Sequence, residues 1–173
     1  MPPRKQKIKA PDKGIDGKAS SKLYTLVVYL IGGPISNEYE GEIISRTIKM
    51  RWDQTLEDLH RIIFKAFDRF DEHLYEFMLD AGPDDRSSIY SLLIDLDFPE
   101  LDEETNGDVR TTTLDSLGME VGRAFGYRFD FGDEWLHQIE VTAIEYYSGK
   151  GKYPKISKKT NKSPPQYIYE DDE

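Results

Sequence analysis

The amino-acid sequence predicts an α+β protein, built on a mainly antiparallel sheet with one principal helix packed on one face. Residues 55–67 place apolar side chains at three- and four-residue spacing, which is typical of an amphipathic helix. Segments on both sides of that helix alternate apolar and polar residues or are rich in β-branched residues, as strands are. The length of 173 residues and a hydrophobic content of 38% suit one core and therefore one domain.

The first predicted unit is a hairpin with a long loop. Residues 24–31 are β-branched and aromatic, and Gly32, Gly33 and Pro34 end this strand. Residues 43–50 resume a strand pattern, with Ile48 and Met50 alternating with charged residues. We expect these two strands to pair.

The principal helix follows the first hairpin. Its predicted start is Thr55, because Thr55 and Asp58 have the spacing of a capping box. The apolar stripe consists of Leu56, Leu59, Ile63 and Phe67. A strand over residues 73–79 comes next, with Tyr75 and Phe77 on one face.

The strongest local pattern is a hairpin near the end of the chain. Two runs place an aromatic or apolar residue, or a histidine, at every second position, and a turn at 132–134 separates them. The first run is Phe125, Tyr127, Phe129 and Phe131, and the second is Trp135, His137, Ile139 and Val141. Keeping both sets on one face pairs Phe131 with Trp135 and Phe129 with His137. Asp130 then lies on the opposite face.

The charge divides unevenly along the chain. Residues 1–22 hold seven Lys or Arg against two Asp, a balance of +5, so the other 151 residues carry −15. We predict a disordered basic arm over 1–22, a domain over 23–148, and an extended segment over 149–173 that packs on the domain and frays at an acidic end. Residues 95–108, with seven carboxylates, are predicted to form a mobile loop.

Composition excludes several function classes. The chain has no cysteine, which excludes disulfides, thiolate catalysis and cysteine-bound metals. No apolar run approaches the roughly 20 residues that cross a bilayer, and the first residues lack a secretory signal. We therefore expect a cytoplasmic protein that is not in a membrane.

Three motifs in this order resemble a known family. They are Thr55-Leu-x-x-Leu-His60, His73-Leu-Tyr-x-Phe77 and Phe129-Asp-Phe-Gly-Asp-x-Trp-x-His137. Together they are similar to the plasmid pRiA4b ORF-3-like family, found on plasmids, near transposable elements and in microbial chromosomes. The similarity spans residues 24 to 168 and includes a closing Pro164-Pro-Gln-Tyr167, although Ser45 replaces the tryptophan of an Ile-Trp-Arg triplet. It implies an α+β sheet packed against helices, and no established activity.

Histidines are the main candidates for chemistry. The chain has only three, His60, His73 and His137, and each is predicted to lie on an inward face. If those faces meet, the imidazoles with Asp133 or Glu76 would suit zinc, iron or manganese and would activate water for hydrolysis. The alternative is three core histidines, each satisfied by one hydrogen bond. Asp130 and Asp133 have an alternative too, as turn caps beside Gly132.

These observations leave three hypotheses of function. The first is a non-catalytic binding or adaptor module, whose exposed sheet edge or acidic loop meets another protein. The second is a metal-dependent hydrolase built on His60, His73 and His137. The third is a nucleic-acid accessory protein that uses only the basic arm, since the acidic body repels phosphates unless its charges are segregated in space. Whichever hypothesis holds, the residues that mark the third motif are Asp130, Gly132, Asp133, Trp135 and His137.

Overall fold

The computed structural model describes residues 21–80, 88–92 and 106–169. Within them the only α-helix is α1 (Leu56–Ala66), and short 3-10 helices lie at Asn37–Tyr39 and Asp115–Leu117. The strands are β1 (Lys22–Gly32), β2 (Ser45–Arg51), β3 (Tyr75–Met78), β4 (Ile89–Ser91), β5 (Gly107–Asp108), β6 (Ala124–Phe129), β7 (Trp135–Tyr146) and β8 (Lys155–Thr160). Most of the basic arm (1–20), most of the acidic loop (95–105) and the acidic end (170–173) lie outside the described residues.

All eight strands form one sheet in the order β5-β4-β3-β6-β7-β1-β2-β8. Neighbouring strands are antiparallel except β4 and β5, which are parallel, so the sheet is mixed and mostly antiparallel. The predicted α+β class is confirmed. The predicted pairing of the first two strands is also confirmed, with Leu26 opposite Ile48.

The core forms where α1 meets one face of the sheet. The helix begins as predicted, because the Thr55 side chain accepts from the Asp58 amide while the Asp58 carboxylate accepts from the Thr55 amide. Alternation along β1 buries Leu26 and Val28 completely. Opposite them the helix buries its predicted stripe, Leu56, Leu59, Ile63 and Phe67.

The second hairpin has a different register from the predicted one. Phe129 pairs with Trp135 and Tyr127 pairs with His137, a shift of two residues. The cause is the turn, which occupies five residues because the chain leaves β6 at Asp130 with φ 63°. Phe131 therefore leaves the sheet and is 45% exposed. A shift of two residues preserves side-chain parity, so Trp135 and His137 still face the core.

The C-terminal segment contributes a strand that the sequence analysis did not predict. Residues 155–160 form β8 and extend the sheet at β2, with Ile156 opposite Ile48. The lysines of this segment hid the strand pattern, because both faces of an edge strand can remain in solvent. Among the described residues, no helix has the length and apolar character needed to cross a membrane.

Candidate functional site

The three histidines surround two aromatic residues of β6. His60 and His137 lie on either side of Tyr127, with ring centroids 6.0 and 5.1 Å from the Tyr127 ring. His73 lies beside Phe129, at 5.9 Å. Each imidazole thus packs against an aromatic ring, and no group of three or more His, Asp or Glu that could hold a metal occurs within the described ranges.

His60 links a surface carboxylate to a buried phenol. Its Nδ1 lies 2.6 Å from the Tyr127 hydroxyl, and its Nε2 contacts Oε1 of Glu72. Burial lowers the pKa of His60 to about 3, so the imidazole is neutral, while burial raises the pKa of Tyr127 well above its ordinary value. The Tyr127 hydroxyl therefore donates to Nδ1, and Nε2–H donates to Glu72. Both ring nitrogens of His60 are occupied.

His73 belongs to a second, more exposed network. The Tyr167 hydroxyl lies 2.7 Å from Nε2 of His73 and donates to Oδ2 of Asp71 at 2.6 Å. This bond to Asp71, with some desolvation, raises the pKa of Tyr167 to about 12. Nε2 of His73 is also 3.5 Å from carboxylate oxygens of Asp71 and Asp130. The network joins the end of α1, the turn before β7 and the C-terminal segment.

His137 is the most deeply placed of the three imidazoles. Its Nδ1 lies 3.4 Å from the Tyr127 carbonyl, and burial, followed by the charge of Arg69, lowers the pKa of His137 to about 3. Arg69 is itself buried, and its guanidinium lies 3.9 Å from the centroid of the Trp135 ring. Desolvation lowers the pKa of Arg69 to about 10. His137 therefore stands beside a cation, which disfavours a metal ion there.

The carboxylates predicted as metal ligands do not join these imidazoles. Glu76 is buried on the other face of the sheet, where Oε1 lies 3.6 Å from Nη1 of Arg128. Asp133 is exposed in the turn. Strand alternation explains Glu76, because its neighbours Tyr75 and Phe77 occupy the inner face.

Asp130 holds the turn through its side chain. Its Oδ1 accepts from the amides of Gly132 at 3.0 Å and Asp133 at 3.3 Å, as the turn-cap interpretation predicts. The expectation that Asp130 points away from the aromatic face is wrong. Because φ is positive there, its other oxygen reaches His73.

Exposed apolar residues are adjacent in the chain to members of the His73 network. Phe70 is 66% exposed, and its ring lies 5.7 Å from that of Tyr167. The Leu74 carbonyl accepts from the Asp130 amide at 2.9 Å, while the Leu74 side chain is exposed. We call the following group the His73 surface: Phe70, Asp71, Glu72, His73, Leu74, Phe131, Asp133, Tyr167 and Ile168.

Gln166 fixes the backbone under this surface. Its Oε1 accepts from the amides of Phe70 at 2.9 Å and Asp71 at 3.0 Å, and its Nε2 donates to the Asp71 carbonyl at 2.7 Å. Sequence reasoning missed Gln166, Glu72 and Arg69. Gln166 had a signal, the closing motif Pro164-Pro-Gln-Tyr167, whereas the contacts of Glu72 and Arg69 depend on the path of the chain after α1.

The fold and this surface define a small α+β protein with an eight-stranded sheet and an acidic, aromatic surface at one end. The chain belongs to the plasmid pRiA4b ORF-3-like protein family, whose model matches residues 35–169. A crystal structure of a protein of unknown function from Methanosarcina mazei Go1 is similar, with a TM-score of 0.64 and 21% sequence identity. That similarity covers 86% of this chain and 74% of the other, and it supports the fold alone. No curated protein is significantly similar in sequence.

Proposed function

We propose that this protein is a non-catalytic binding module whose His73 surface receives a cationic, partly apolar segment of another protein. The observation that carries the proposal is the concentration of exposed large apolar side chains around a hydrogen-bonded acidic network. Phe70, Leu74 and Phe131 are 66%, 44% and 45% exposed, and each lies within three residues of His73 or Asp130. Exposed apolar residues grouped within a polar rim are typical of interaction sites.

The charge of the His73 surface favours a basic partner. Residues 68–73 and 130–134 contain six carboxylates, and Arg69 is the only Lys or Arg among them. Arg69 is buried against Trp135, so its charge is little exposed at the surface. Three exposed carboxylates belong to this surface: Asp71, Glu72 and Asp133. Asp68 and Glu134, also exposed, are close to it in the chain, and Oε1 of Glu134 lies 3.7 Å from Nη1 of Arg128. Lys or Arg side chains in a partner would complement this field and speed association.

The frame beneath the surface is ordered before any partner arrives. Gln166 holds the main chain of Phe70 and Asp71, and Asp130 holds the turn that carries Phe131. Such preorganisation reduces the conformational entropy that binding would otherwise cost. A separate observation favours binding over the hydrolase alternative: both ring nitrogens of His60 already contact Tyr127 and Glu72.

A peptide display experiment tests the proposal. A library of random short peptides is selected against the full chain, and enriched sequences are measured by fluorescence polarisation. We expect enrichment of Lys or Arg beside a large apolar residue, with affinity that falls as salt rises. Phe70→Ser and Phe131→Ser should weaken binding, whereas Ile43→Ser, which alters an equally exposed residue before β2, should not. Selected peptides that are acidic, or that bind Phe70→Ser and Phe131→Ser unchanged, would contradict the proposal.

A further inference from the structure

The edge of the sheet farthest from β5 carries a lysine cluster. Residues 148–163 contain six lysines and no Asp or Glu, although the whole chain has a net charge of −10. All six are exposed, and none forms an ion pair with a carboxylate in the described part of the chain. They are Lys150, Lys152, Lys155, Lys158, Lys159 and Lys162.

Pairing in the sheet extends this positive charge inward. Lys155 is opposite Lys49 of β2, so both side chains lie on the same face. Arg51 follows two residues later on that face, in an ion pair with Asp53 at 2.9 Å. Lysines on an edge strand also discourage edge-to-edge association, but that role does not account for Lys49 on the neighbouring strand. Positive charge therefore gathers on two neighbouring strands at this edge of the sheet.

Aromatic rings stand within the lysine cluster. The Tyr147 ring lies 5.8 Å from Trp52 and 5.8 Å from Tyr153, and all three residues are partly exposed. Tyr146, at the end of β7, is 75% exposed. Solvent-accessible rings interleaved with lysines are typical of surfaces that bind single-stranded nucleic acid. Its unpaired bases stack on the rings, and its phosphates contact the cations.

The described part of the chain begins at the same corner, at Ser21. The Tyr147 amide donates to the Ser21 carbonyl at 3.1 Å, and the Trp52 amide donates to the Lys22 carbonyl at 3.0 Å. Residues 1–20, which precede this point, hold six Lys or Arg against two Asp. Ser21 and Lys22, where the described part of the chain begins, therefore lie beside Tyr147 and Trp52.

We propose that this corner binds single-stranded nucleic acid without sequence preference. Bases stack on the exposed tyrosines and phosphates contact the lysines of the edge. A duplex offers no free base faces to such rings, so the single strand is preferred. The corner consists of Lys49, Arg51, Trp52, Tyr146, Tyr147, Lys150, Lys152, Tyr153 and Lys155. Lys22 lies beside them, with its ammonium nitrogen 3.4 Å from Oδ1 of Asp115. The inference is independent of the function proposed for the His73 surface.

Fluorescence anisotropy with a labelled oligothymidylate tests this inference on the full chain. We expect binding at low salt that exceeds binding to a duplex of equal length. The logarithm of affinity should fall linearly with the logarithm of salt concentration, with a slope of about −0.7 per phosphate contacted. Tyr146→Ala should weaken binding about 5- to 150-fold, whereas Tyr146→Phe should retain it, because stacking needs only the ring.

Charge reversal supplies the second arm of the test. Lys150→Glu with Lys152→Glu should weaken binding and flatten the salt slope. Lys65→Glu, an exposed lysine on α1, and Tyr169→Ala, a tyrosine 78% exposed near the His73 surface, are matched controls that should change little. Three results would each overturn the inference: binding unchanged by the Tyr146 and Lys150/Lys152 variants, equal binding to the duplex, or binding to anionic lipid vesicles without binding to the oligonucleotide.

Discussion

The imidazole of His60 lies flat against the phenol ring of Tyr75, with centroids 3.6 Å apart and planes 1° from parallel. This stack covers one face of the ring, the bond to Tyr127 and the contact with Glu72 occupy both nitrogens, and His60 is 3% exposed. Tyr75 and Tyr127 belong to neighbouring strands, so one helical histidine joins α1 to both strands. His60 therefore acts as a structural link in the core.

Tyr127→Phe tests that link. The variant leaves Nδ1 of His60 buried without a donor, which should lower the free energy of unfolding by about 1–3 kcal/mol. Glu72→Gln keeps an acceptor for Nε2–H and should cost less. Urea unfolding measures both. Tyr29→Phe, on the other face of β1, is the control and should stay within about 0.5 kcal/mol of the parent; an equal loss in both phenylalanine variants would contradict the assignment.

Acid should destabilise the protein below about pH 6.5. Burial lowers the pKa of His60 and of His137 from 6.5 to about 3, so between these values the unfolded chain binds more protons than the folded one. The free energy of unfolding then falls with falling pH, by about 1.4 kcal/mol per pH unit for each histidine, and does not change on their account at higher pH.

His137→Leu isolates one of these two contributions. Urea unfolding from about pH 7 to pH 5 should give a mean slope that is flatter than the parent's by about 1 kcal/mol per pH unit, because the histidine of the unfolded chain is only partly protonated near pH 7. The carboxylates titrate in both proteins, so the difference in slope reports His137. Parallel slopes for the variant and the parent would show that His137 is not buried in its neutral form.

Gly33→Ala should be among the most damaging small substitutions. Gly33 has φ 140°, and a Cβ atom there would lie 2.5 Å from Cε3 of Trp135, whose ring also packs against Arg69. We expect a loss of about 2–4 kcal/mol from overpacking and backbone strain together. Gly41 has φ 77°, and a Cβ atom there would have nothing within 4 Å. Gly41→Ala should therefore lose only about 1–2 kcal/mol of stability, from backbone strain alone. Equal thermal shifts in both variants would refute this packing role of Gly33.

Metal content distinguishes the binding module from the hydrolase alternative. We expect purified protein to contain well below one equivalent of zinc, iron or manganese, because His60 has no free nitrogen and His137 adjoins Arg69. Added zinc should leave the melting temperature at its value in chelator. Elemental analysis with stoichiometric metal, lost in His60→Ala but kept in the control Tyr29→Phe, would instead favour a hydrolase.

The sequence correctly predicted those elements whose pattern lies within a few neighbouring residues. The apolar stripe and capping box of α1 lie within a few residues of each other, and the alternation around Tyr127 and His137 survives a change in turn length. The turn itself was mispredicted, since alternation does not encode the positive φ values of Asp130 and Glu134 or the side-chain bonds of Asp130 that hold the turn.

The site could be predicted only in part, because its contacts join distant segments. His60 and His137 were correctly placed on inward faces. Their separation by Tyr127 follows from which strands are neighbours, and the sequence leaves that order open. Gln166 and Tyr167 reach Asp71 across 95 and 96 residues, a distance at which no periodicity helps.

Amide chemical-shift mapping by NMR tests the proposed binding role most directly. A Lys-rich peptide with one large apolar residue is titrated into labelled full-length protein, with a Glu-rich peptide of matched length as control. We predict saturable shifts concentrated at residues 70–74 and 130–134 with the Lys-rich peptide alone, and loss of those shifts in Phe70→Ser. Shifts scattered over the surface, or centred elsewhere and unchanged in Phe70→Ser, would contradict the proposal.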